Sequence, residues 1–169
     1  MEEIKLILTR RSIRKYTAQI IDKETIEHIL KAAMYAPSAR NTQSWQFLVI
    51  SERKMLNSIT KVHPYSSMMT EASHAILVCG DKNLEPNEAY CCQNCSPATQ
   101  NILLAAHALG IGSVWLGVYP REERMKGVSE LFALPQNILP VSLIALGYPN
   151  EKPAQPDRFK PGSVHYEKW

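Results

Sequence analysis

The stretch RRSIRKY, residues 10–16, sets Arg10, Arg11, Arg14 and Lys15 around Ser12, directly after a short segment with an apolar face. The guanidinium fork of N–H donors matches a phosphate, and a serine hydroxyl with backbone amides extends the donor set. The same run also suits a solvated helix end, where cations complement the exposed carbonyls. On this motif alone both readings stay open, and the helix end is the more ordinary of the two.

A second polar stretch, PSARNTQSW at 37–45, supplies Ser38, Asn41 and Gln43 just before an apolar run. Asn and Gln amides donate and accept at once, so they can read the edge of a heterocycle carrying adjacent C=O and N–H groups. Pro, Ser and Asn are equally good turn formers, and this stretch too is undecided by itself. The glycines of GIGSVWLG at 110–117 do not have G-x-G-x-x-G spacing and they precede a strand, which excludes a dinucleotide fingerprint. Gly117 inside an apolar run points to close backbone approach by a ligand or a neighbouring chain.

Other chemistries find little support. Cys92 and Cys95 form a lone C-x-x-C without a second ligand pair, and with Cys79 and Cys91 they read as buried or interfacial thiols. The five histidines show neither i,i+4 pairing nor an H-E-x-x-H arrangement, so no metal site is expected. No G-x-S-x-G elbow is present, and no side chain is nominated as catalytic.

The elements that must position these stretches follow from hydrophobic periodicity. A helix is expected over about 2–10, with Ile4, Ile7 and Leu8 on one face, and another over 22–37, capped by Asp22 and closed by Pro37. Continuous apolar runs at 45–50, 74–80, 113–119 and 141–147 read as four buried strands of one sheet. A long apolar helix precedes Gly110, with Pro97 marking a kink or its start, and a further helix covers about 121–133. Helices on both faces with irregular connections give an α+β class with a mixed sheet. From Pro149 onward four prolines forbid helix and central strand, yet Phe159, Val164, Tyr166 and Trp169 are costly to leave in water. An extended arm docked on another surface explains them better than a frayed tail.

Composition narrows the classes. At 169 residues, 45% hydrophobic and 21% charged, the chain reads as one globular domain. A net charge of +3 with scattered Lys and Arg does not make a nucleic-acid footprint. No run approaches the roughly 18 to 20 apolar residues that span a bilayer, and MEEIKLILTRR lacks the features of a secretory signal. A cytoplasmic protein without membrane association is the expectation.

Taken together and in order, RRSIRKY, APSARNTQSWQF, GIGSVWLG and IALGYPNEKP resemble the nitroreductase family of FMN-dependent oxidoreductases over nearly the whole chain. The resemblance implies a single FMN-binding domain over 1–169. It would form a homodimer with a mixed central sheet flanked by helices, a long helix in the interface, and C-terminal arms (152–169) exchanged between subunits. It further implies that Arg10, Arg11 and Ser12 hold the FMN phosphate and that Arg14 reaches the ribityl chain or the flavin's pyrimidine edge. Pro37, Ser38, Ala39 and Asn41, with Gln43 as a weaker candidate, would come from the other subunit. Trp115, Leu116 and Gly117 would line the isoalloxazine, while Gly147, Arg158 and Lys160 would close the phosphate end.

The activity implied is ping-pong transfer of hydride from NADH or NADPH through flavin N5 to a nitroaromatic, quinone or similar small acceptor. A flavin-binding protein without fast turnover is the alternative, and a phosphate-ligand module without flavin a third. The chain departs from the family pattern at Ser44, where many relatives have Pro, and at YSSMMTEASH, which offers Tyr65, Ser67 and Met68 where larger relatives place Asn and Lys against the flavin. An inserted helical lid is also absent, which implies a more open acceptor pocket.

Overall fold

Eight residues from His74 to Asp81 and ten from Ile138 to Gly147 are buried almost throughout, and they form the two inner strands of a single sheet. Apolar side chains on both faces of such a strand require cover on both sides. The computed structural model, which describes residues 2–169, supplies that cover with helices. In chain order the elements are α1 (Glu2–Thr9), α2 (Lys23–Met34), β1 (Trp45–Ile50), α3 (Arg53–Val62), β2 (His74–Asp81), α4 (Glu88–Ala108), β3 (Gly112–Gly117), α5 (Glu122–Phe132) and β4 (Ile138–Gly147).

The strand order is β1-β2-β4-β3 and every pairing is antiparallel, where the sequence pointed to a mixed sheet. Among the described residues the only parallel partner is a single bridge from Ser12 to Ser113 on the outer edge of β3. Ile76, Val78, Ile144 and Leu146 face α2 and α4, whereas Leu77, Leu143, Val114 and Leu116 face α3 and α5. The alternation of side chains along each strand thus divides the core into two layers.

Local signals place the helices. Asp22 caps α2, its carboxylate accepting the Thr25 N–H at 2.8 Å, and Asn87 caps α4 by accepting from Ala89 and Tyr90. Pro97 lies inside α4 rather than at its start, with the Ser96 and Thr99 hydroxyls bonding the carbonyls of Cys92 and Cys95 beside it. Gly110, at φ +75°, ends the helix in the left-handed conformation that glycine tolerates. One helix, α3, was not expected. Its Leu56 and Ile59 are fully buried, but its surface is so polar that the apolar stripe is short.

Cys91 and Cys95 are buried between β2 and α4, Cys79 is buried in the opposite layer, and all four cysteines are reduced, as read from the sequence. Gly80 makes this packing possible, because a Cβ there would meet the Cys91 Sγ at 2.0 Å. Burial pushes the Cys79 thiol up to about 12, well out of the range in which a thiolate would be reactive. By contrast, the apolar face of α1 has no cover: Ile4, Ile7 and Leu8 are each more than half exposed. Phe159, Tyr166 and Trp169 in the C-terminal segment are likewise open to solvent.

Candidate functional site

RRSIRKY leaves α1 and is fastened to the sheet by its backbone. The Ile13 N–H donates to the Ser113 carbonyl at 2.9 Å, and the Ile13 side chain lies where a Cβ on Gly112 would otherwise stand. Tyr16 is buried, donates its hydroxyl to the Ile13 carbonyl at 2.6 Å, and lays its ring over Gly147 so closely that a Cβ there would meet it at 2.7 Å. Burial holds that phenol well above its ordinary pKa, so it remains a donor. On the other side, the Glu151 carboxylate accepts the backbone N–H groups of Arg14 and Lys15. The segment is held rigidly by Tyr16 and Glu151, two residues whose roles the sequence reading did not identify.

Its side chains are then aimed at the start of the C-terminal arm. Arg11, Ser12, Arg14 and Arg158 line a cleft of about 390 Å³ with Pro153–Pro156. Arg10, Arg11 and Arg158 line a second one of about 780 Å³ together with Ile7, Leu8, Asp157 and Phe159. Arg10 is half-buried, and its pKa is lowered first by that burial, then by Arg158 and Arg11. Among the described residues no ion pair relieves this crowding of three cations. The guanidinium of Arg11 is engaged with the carbonyls of Leu8, Arg10 and Ala154, tying the arm to the helix end. Three arginines against one carboxylate, Asp157, on the second cleft leave a net positive place for an anion of more than one charge. A phosphate dianion fits that donor set.

The remaining expected residues lie elsewhere. Lys160 is exposed and lines neither cleft. Gly147 sits behind the Tyr16 ring, where its lack of a side chain serves packing. Trp115 is half-exposed on the edge strand, Leu116 turns into the core, and a Cβ on Gly117 would point into open space. The Gly117 carbonyl does accept two bonds, from His63 Nε2 at 3.0 Å and from Arg124 at 2.8 Å. Because His63 Nδ1 accepts the Tyr65 N–H, the imidazole is the neutral tautomer with its proton on Nε2. Burial, the largest influence, keeps its pKa below the usual value.

Loop 37–43 lies against the first half of α4. Arg40, Asn41 and Gln43 all have positive φ, between 47° and 54°, an uncommon density of left-handed residues outside glycine. The loop is fixed by Ser38, whose hydroxyl accepts the Gln43 N–H at 3.0 Å, and by Asn94 of α4, whose carbonyl oxygen accepts the Ala39 N–H at 2.8 Å. The arginine cluster is found at the other end of the same helix, where Thr9 meets His107 at 2.9 Å. Thirteen residues separate Asn94 from His107, which is about 20 Å of helix. One chain therefore brings Arg10, Arg11, Ser12, Arg14 and Arg158 together but leaves Pro37–Gln43 apart from them.

Comparison with known proteins bears on the family and the fold. The sequence profile of the nitroreductase family matches residues 7–64 and 56–148. A relative from Archaeoglobus fulgidus, provisionally named an NADH dehydrogenase/NAD(P)H nitroreductase, is 52% identical over 175 residues, covering all of both chains. A crystal structure from Parabacteroides distasonis with the same provisional name superposes with a TM-score of 0.96 at 36% identity, covering 100% of this chain and 99% of that one. A provisionally named nitroreductase from Desulfovibrio desulfuricans, solved in complex with FMN, gives 0.86 at 32% identity over 98% of this chain and 96% of that one. With the arginine cluster, the polar loop and the β3 segment set on one fold that these relatives share over its full length, the chain belongs to the nitroreductase family.

Proposed function

We propose that this member of the family, an FMN-dependent NAD(P)H oxidoreductase, passes hydride in two half-reactions to a small acceptor such as a nitroaromatic or quinone. The observation that carries the reading is the net positive cluster of Arg10, Arg11 and Arg158 beside Ser12, with Arg10 and Arg158 in no ion pair among the described residues, a donor set suited to the phosphate of FMN. The chemistry supplied by FMN when bound is two-electron transfer, in from NAD(P)H and out to the acceptor. The chain's own residues bind and orient. Arg10 and Arg158 neutralise the dianion, the Ser12 hydroxyl adds a donor, and Arg14, exposed on the same cleft, offers a cation that favours a reduced, negatively charged flavin.

The second half of the site is proposed to come from a second copy. A two-fold axis across the middle of α4 would carry the partner's loop from the far end of its helix towards Arg10–Arg14. The uncovered faces of α1 and of the C-terminal segment, carrying Ile4, Ile7, Phe159 and Trp169, supply apolar surface for such an interface and for exchanged arms. Trp115 and Gly117 stand on an edge strand with open space beside them, suited to a flat ring. Anaerobic mixing of FMN-loaded protein with NADH and with NADPH tests the activity. Rapid loss of the oxidised-flavin absorbance, restored on adding menadione or a nitroaromatic, is the expected result. Unchanged absorbance with both donors would leave a flavin-binding protein without turnover.

A further inference from the structure

Asn94 lies inside α4 between two cysteines, is 2% exposed, and spends its side chain entirely on one loop. Its Oδ1 accepts the Ala39 N–H at 2.8 Å, and its Nδ2 donates to the Thr42 and Ser44 hydroxyls at 3.1 Å each. A buried primary amide in the middle of an apolar helix is costly unless its groups are satisfied, and here the satisfied partners are the two ends of the segment 39–44. That segment contains the three left-handed residues Arg40, Asn41 and Gln43. Each such residue costs on the order of 1 kcal/mol or more, and a conformation of this kind persists only where its surroundings impose it.

A second anchor acts on the same loop. Arg40 pairs with the buried carboxylate of Glu85, and its guanidinium stands 5.7 Å from the centroid of the Tyr90 ring. Glu85 Oε1 also accepts the Asn87 N–H at 3.1 Å, next to the N-terminus of α4. One anchor lies in the first half of α4 and the other just before it, so the loop is held from the α4 side at both Ala39 and Arg40.

From this geometry we propose that Asn94 is a positioning residue for the cofactor half-site: by clamping Ala39, Thr42 and Ser44 to α4 it presents Ser38–Gln43 in the one shape that grips FMN. The inference rests on the function proposed above. Removing the amide leaves the Ala39 N–H without its acceptor and lets the loop relax out of its left-handed conformations, so ordering it again on binding weakens FMN affinity.

The test compares Asn94→Ala with Thr99→Val. Thr99 is fully buried on the same helix, and its hydroxyl bonds Cys95 and Ser142 rather than the loop. FMN affinity by fluorescence quenching is expected to fall about tenfold in Asn94→Ala, the size of one hydrogen bond's net contribution. Exchange of the Ala39 amide in the FMN-free protein is expected to quicken. Thr99→Val should lose thermal stability while keeping wild-type affinity and exchange at 38–43. If Asn94→Ala does not fold, Thr42→Val removes one bond from the loop side and should weaken FMN binding about threefold. Wild-type affinity and exchange in the Asn94 variant would overturn the proposal, as would an equal loss of affinity in Thr99→Val. A wild-type protein that does not bind FMN would instead overturn the function and the cofactor half of this inference, with exchange at Ala39 deciding whether Asn94 holds the loop.

Discussion

Individual residues in RRSIRKY divide their labour more sharply than their composition suggests. Arg11 is bonded to three carbonyls, Tyr16 and the Glu151 carboxylate fix the backbone, and Arg10 is left crowded against Arg158. The run itself was legible because cations around a serine advertise anion binding. Which arginine is structural was not, since that depends in part on the Ala154 carbonyl, 143 residues away in sequence. Titration at this scale has a defined sign. His63, His74 and His107 all have pKa values below the ordinary 6.5, with burial the largest cause in each. The folded chain therefore binds fewer protons than the unfolded one in this range. The stability these neutral imidazoles contribute is complete above about pH 6.5 and is lost as pH falls through their lowered values. Urea midpoints should stay level from pH 8 to 7 and decline below pH 6.5. In His63→Gln that decline should be shallower, because one of the three protons is no longer taken up.

Elements meet where a missing or small side chain permits it, and β2 against α4 is the clearest instance. Gly80 faces the thiols of Cys91 and Cys95, so Gly80→Ala should overpack this contact and cost about 1–3 kcal/mol. Adding Cys91→Ala removes the clashing sulfur and leaves the new methyl in a tight contact with the Cys91 Cβ position at 3.3 Å, which a shift of a few tenths of an ångström relieves. Thermal unfolding of both single variants and the double one should show that the pair is less destabilised than the sum of its parts. The elements were largely readable: four apolar runs became four strands, and Asp22 and Gly110 marked helix ends where expected. Strand pairing was not, because the runs are apolar on both faces and carry no mark of direction. The antiparallel sheet is a property of the connections. Asn94 escaped notice for a related reason: a polar residue in an apolar helix has meaning only once the loop it faces is in place.

At the scale of the whole molecule the decisive fact is that the two halves of the candidate site lie at opposite ends of α4. If a two-fold pairing of helices joins them, each site takes Arg10 from one subunit and the loop from the other. An Arg10→Ala subunit removes a charge-assisted contact to phosphate and should weaken FMN binding by about 10- to 100-fold. An Asn41→Ala subunit damages the loop instead. Neither homodimer then has an intact site. A mixed dimer has one, built from the normal Arg10 of the loop variant and the normal loop of the arginine variant. Random re-pairing of equal amounts makes about half of all dimers mixed and restores tight binding at about a quarter of the sites. Equilibrium titration with FMN after unfolding and refolding the two variants together should show this fraction, absent when they are refolded separately and combined. If both parts acted within one chain, every subunit in the mixture would carry a damaged site and no tight fraction would return. That result would leave the 20 Å along α4 unexplained and would require the loop to swing across its own helix.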